Sequence, residues 1–81
     1  MMMIERRAIP RRRVLKTGAI AYAGGGTACT VRNLSPNGAR IDLANPLGLP
    51  SSFTLVIRAD NIMRRCRPIW RSGSQLGVAF E

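Results

Sequence analysis

Apolar and polar residues alternate along most of this chain. Ile41 and Leu43 oppose Arg40 and Asp42, Phe53, Leu55 and Ile57 share one parity, and so do Leu76, Val78 and Phe80. Successive side chains of a strand point to opposite faces, so each run has one apolar side to bury. No segment shows the 3.6-residue period of an amphipathic helix. The pattern predicts six strands, approximately at 14–23, 27–34, 39–44, 53–58, 64–71 and 76–81. Turn signals separate them: GGG at 24–26, SPNG at 35–38, NPLGLPSS at 45–52, ADN at 59–61 and SGS at 72–74. Short strands at near-regular spacing imply an antiparallel barrel or sandwich. Closure into a barrel would also remove exposed sheet edges.

Residues 1–13 read differently, as an arginine-rich arm. Pro10 biases Ile9 towards extended backbone and speaks against a helix there. One domain with an N-terminal arm is therefore expected, the barrel occupying 14–81. One local conflict stands out. Asn33 and Ser35 share a strand face, with Val31 on the same parity and Leu34 on the other. If the polar pair faces solvent, Val31 must be exposed, unless a bulge re-aims the chain. The alternation alone leaves both options open.

Composition narrows the function class. The chain has 81 residues, of which 46% are hydrophobic, enough for one small core. No apolar run approaches the ~18 residues of a membrane helix, so no membrane insertion is expected. The charged N-terminus leads into no apolar signal core, which gives a cytoplasmic expectation. Cys29 and Cys66 are the only cysteines and histidine is absent. That leaves no four-ligand metal set, and the two thiols are expected to be reduced and to pack as small hydrophobes. Glu5, Asp42, Asp60 and Glu81 are scattered, so acid/base chemistry has little material. A binding module is expected, with no catalytic residue, metal or cofactor.

Charge indicates the partner. Thirteen basic residues face four acidic ones, giving +9, and Lys16 is the single lysine. Arginine is favoured where a planar fork grips phosphate or stacks on a flat ring. An anionic partner carrying bases fits that preference.

Two motifs sharpen the reading. Arg7-Ala-Ile-Pro-Arg11 has RxxxR spacing, and Asn33-Leu-Ser35-Pro-Asn-Gly38 has NxSxxG spacing. Near the end, CRPIWRSGSQLGVAF sets a tryptophan strand before a Gly-Val-x-Phe strand. In this order and separation the chain resembles the PilZ domain, the bacterial receptor module for cyclic di-GMP, over 6–80. The resemblance implies a stand-alone, six-stranded antiparallel β-barrel with the arm crossing one outer face. It also implies that Arg7, Arg11, Asn33, Ser35 and Gly38 contact the ligand. Arg6, directly before the first motif, is a further candidate, because an arginine there is associated in the family with a stacked pair of ligand molecules.

The chemistry of these residues suits a dianion with two guanines. Arginine reaches phosphate oxygens or guanine O6/N7 bidentately and stacks on purines. Asn33 offers an acceptor and two donors to a guanine edge, and Ser35 a short hydroxyl. Gly38 allows close backbone approach. The plainer reading is that Asn33 and Ser35 cap the Pro-Asn-Gly turn. Arg12, Arg13, Arg64, Arg65 and Arg67 are expected to set a general field, and Trp70 is expected in the core. Ligand binding is expected to order the arm and signal to a downstream effector protein. The alternative is a basic β-barrel that binds RNA or DNA. Against that alternative, aromatic residues make up only 5% of the chain.

Overall fold

Val31, Ile41, Phe53, Leu55, Ile57 and Cys66 are completely shielded from solvent. They come from four different strands, and a sheet that must cover so many inward residues in so short a chain closes on itself. The computed structural model describes residues 12–45 and 48–81. Its strands are β1 (Arg12–Tyr22), β2 (Gly25–Ser35), β3 (Gly38–Asp42), β4 (Phe53–Ile57), β5 (Ile62–Ser72) and β6 (Gln75–Phe80). They form a closed barrel in the order β1-β2-β3-β6-β5-β4, with every neighbouring pair antiparallel. The all-β barrel expected from the alternation is the fold observed.

The core is the inward set that the parity predicts. Ile41 and Leu43, then Phe53, Leu55 and Ile57, then Leu76 and Val78 are all buried. Cys29 and Cys66 are buried among them as free thiols. Burial pushes each thiol up to about 11, and the neighbouring Cys66 adds to the effect on Cys29. Both are therefore neutral, inert packing groups near pH 7.

Strand ends differ from the expected ones mostly because the hairpins are tighter. Gly24 at φ +89° and Gly73 at φ +60° adopt left-handed backbone that a Cβ disfavours. Pairing therefore continues to Tyr22 with Gly25 and Ser72 with Gln75. Arg58 leaves its strand for a single 3-10 turn, Arg58–Asp60. Asn61 at φ 57° ends that turn, its N–H donating to the Arg58 carbonyl at 3.0 Å. Strand β1 begins at Arg12, two residues earlier than the pattern suggests. The rest of the expected arm, with Arg6, Arg7 and Arg11, lies outside the described residues.

Three β-bulges interrupt the ladders. They fall between Arg13 and Lys16 on β1, Val31 and Asn33 on β2, and Pro68 and Trp70 on β5. The second resolves the parity conflict. Arg32 is an extra residue against β3, so Val31 points inward, with no exposure, while Asn33 is turned out and Leu34 packs on the core edge. The third bulge overturns the expected burial of Trp70. Cys66 faces inward, so regular alternation would carry Pro68 and Trp70 inward too. The extra residue Ile69 breaks that count, and Trp70 is 43% exposed on the outer surface.

Candidate functional site

The two outward-turned residues lie in one line. Asn33 is directly opposite Arg40, Arg40 opposite Gly77, and Gly77 opposite Trp70. The row crosses β2, β3, β6 and β5, a span of roughly 14 Å at normal strand spacing. A parallel row beside it runs Ser35, Gly38, Ala79 and Arg67. Arg40 and Gly77 form the middle of the first row and the small Gly38 and Ala79 that of the second, while polar or flat groups form the ends. The result is a shallow outer cleft of about 350 Å³, lined by Asn33, Ser35, Gly38, Arg40, Gly77 and Trp70 among others.

Each glycine in the floor is fixed by contact. A Cβ on Gly38 would run into the Val78 carbonyl oxygen and lie 3.3 Å from the Ala79 Cα. Neighbouring backbone therefore excludes any side chain there. A Cβ on Gly77 would occupy the space taken by the Trp70 indole. The ring thus lies over the glycine, a cross-strand aromatic–glycine pair. Its exposed part is available as a flat surface beside Arg40.

The sequence-predicted residues divide into two groups. Asn33, Ser35 and Gly38 converge on the cleft. Arg6, Arg7 and Arg11 lie outside the described residues. The Asn33 amide has no hydrogen-bond partner among the described residues. Ser35 combines the two readings of its role. Its hydroxyl donates to the Gly38 carbonyl at 3.2 Å across the turn, which leaves its oxygen lone pairs to accept from a ligand.

The electrostatics favour an anion. Asp42 accepts from Arg32 Nε at 3.3 Å and Asp60 pairs with Lys16 at 2.8 Å. Glu81 accepts from Ser52, which in turn accepts from Arg65. None of these acidic residues lines the cleft. Arg40 lies within it, and its Nε is buried without a partner. Among the described residues no group of three or more histidine, cysteine or acidic residues comes together to hold a metal. Among the described residues no helix is long and apolar enough to cross a membrane.

Trp70, Gly77 and Arg40 escape a reading by motif. The Trp70–Gly77 pair has a sequence signature, a tryptophan and a strand glycine each three residues from the Gly73-Ser74 turn. Its orientation depends on the bulge at Ile69. Arg40 has outward parity opposite Ile41, but nothing sets it apart among twelve arginines.

Comparison with known proteins agrees with this geometry. No curated protein matches the chain. The family model of the PilZ domain matches residues 5–81, essentially the full length, and includes the arm as well as the barrel. The chain belongs to the PilZ domain family.

Proposed function

We propose that this chain is a cyclic di-GMP receptor whose ligand lies in the cleft over the Asn33–Trp70 row. PilZ domains are a cyclic di-GMP-binding family of regulatory, non-catalytic modules that act on effectors. The observation that carries the reading is the row itself: an unpaired amide at one end, a flat indole at the other, and, among the described residues, no acidic group lining the cleft. A guanine stacks on Trp70, and Asn33 and Ser35 meet a guanine edge or ribose hydroxyl. The glycine floor lets the ring system approach the sheet.

Register supports a role for the arm. Arg12 is opposite Leu34 and Arg13 opposite Asn33, so the barrel end of the arm runs beside the second motif. Consecutive Cα atoms are about 3.8 Å apart, so Arg11, bonded to Arg12, has only a short tether to this strand. Arg7, five residues from Arg12, has a reach of roughly 18 Å, enough to span the row. Arg7 and Arg11 then grip phosphate or guanine by bidentate hydrogen bonds. By bridging the arm to the barrel face, the ligand creates the surface that an effector protein reads.

Calorimetric titration of the full chain with cyclic di-GMP tests this, with Arg7→Glu/Arg11→Glu as the control. Saturable binding by the wild type, lost in the double variant without loss of fold, is expected. Absence of heat at tens of micromolar ligand overturns the reading. The salt dependence should be shallow, as for neutralising two phosphates, whereas RNA or DNA along the basic surface would give a steep one. The same titration counts ligand molecules and so tests the role of Arg6 in accepting a stacked pair.

A further inference from the structure

We infer that Arg40, which belongs to neither motif, is a third ligand-gripping arginine of the same site and reads the guanine that lies on Trp70. The inference rests on the cyclic di-GMP reading above and adds a specificity residue to it. Arg40 occupies the centre of the row, opposite Asn33 on one side and Gly77 on the other. The Trp70 indole covers Gly77, so the guanidinium stands between an amide and an aromatic plane. A purine on the indole brings its edge to this position.

The state of the side chain supports the same role. Its Nε is shielded from solvent and has no hydrogen-bond partner. An unpaired buried donor is costly unless something supplies an acceptor. On its own strand face, Asp42 gives Oδ2 to Arg32, and its Oδ1 is buried with no hydrogen-bond partner, so it does not satisfy the Arg40 Nε. Arg40 makes no ion pair among the described residues. A structural arginine would be tied to an acceptor within the fold, as Arg32 is to Asp42 and Arg65 to Ser52. Arg40 is not tied in this way. The O6 and N7 atoms of guanine are two adjacent acceptors that match the arginine fork. Adenine carries a donor in place of O6, so the same contact discriminates between the two bases.

The test uses wild type, Arg40→Gln and Arg40→Lys, each titrated with cyclic di-GMP and melted with and without ligand. Arg40→Gln is expected to weaken binding roughly ten- to a hundredfold, the cost of one bidentate pair. Arg40→Lys should be nearly as weak, because lysine keeps the charge but not the fork. The melting temperature of either variant without ligand should stay at or above that of the wild type, since the lost Nε donor was unpaired. A wild-type affinity in Arg40→Gln overturns the inference. So does full rescue by lysine, which would make Arg40 a field charge only. A marked fall in ligand-free melting temperature also overturns it, by making Arg40 structural. If the wild type itself fails to bind, the functional reading falls and this inference falls with it. Binding by the wild type with an indifferent Arg40→Gln removes the inference alone.

Discussion

Asn33 and Trp70 stand at opposite ends of one cross-strand row, and each is turned outward by an extra residue one position before it, Arg32 and Ile69. Without those bulges both side chains would follow the inward parity of Val31 and Cys66. A bulge bends its strand and changes side-chain direction at a small local cost in pairing. Two of them, on strands separated by β3 and β6, make a binding face from segments whose alternation would otherwise bury it.

The two floor glycines make contrasting predictions. Gly38→Ala pushes a methyl group into backbone, the Val78 carbonyl, which cannot rotate away. The expected cost is about 3 kcal/mol, a fall in melting temperature of more than roughly 10 °C. Gly77→Ala collides only with the Trp70 ring, a surface side chain that can swing out. It should cost about 1 kcal/mol while shifting the tryptophan emission. Thermal melts of the two variants side by side check the order; equal losses would contradict it.

Trp70→Ala separates binding from stability. The side chain is 43% exposed, so its truncation should leave the melting temperature within a few degrees, at about 1 kcal/mol or less. Loss of a base-stacking platform costs about 1–3 kcal/mol, or roughly a five- to a hundredfold weaker dissociation constant for cyclic di-GMP. Trp70→Phe should recover part of it. An unfolded Trp70→Ala protein would mean that the indole is a core group after all.

The buried thiols predict a pH dependence of stability in alkali. In the unfolded chain a thiol loses its proton near 9, and in the folded chain near 11. Between these values the unfolded state binds fewer protons, so stability falls as pH rises. The contribution is fully present below about pH 9 and is lost as pH passes about 11. A shift of this size corresponds to roughly 3 kcal/mol for one thiol. Urea unfolding at pH 8 and pH 10.5 should give a clearly lower midpoint at the higher pH. The Cys29→Ala/Cys66→Ala variant, although less stable, should show a flatter dependence.

Much of this architecture is legible in the residue order, and the exceptions have two physical origins. Period-two alternation identifies Ile41, Leu43, Phe53, Leu55, Ile57, Leu76 and Val78 as core, because inward and outward positions differ by a whole side-chain burial. The Pro-Asn-Gly turn and the spacing of Asn33, Ser35 and Gly38 mark the second motif. Bulges are not legible in this way. A bulge is a mismatch in count between two strands, and one strand alone carries no trace of its partner's register. Parity counted along one strand therefore carries Trp70 inward and leaves the Val31 conflict open. Arg40 was hidden for another reason: its significance lies in having no acceptor, which only neighbours such as Asp42 and Arg32 reveal.

The most direct test of the outer-row site is a titration of the amide and indole NMR signals with cyclic di-GMP. Predicted are saturable shifts concentrated at Asn33, Ser35, Gly38, Arg40, Gly77 and the Trp70 indole, with Thr54 and Val56 of β4, opposite β3 in the barrel, unmoved. Saturable shifts confined to that opposite side, or none at the Trp70 indole under saturating ligand, would contradict the account.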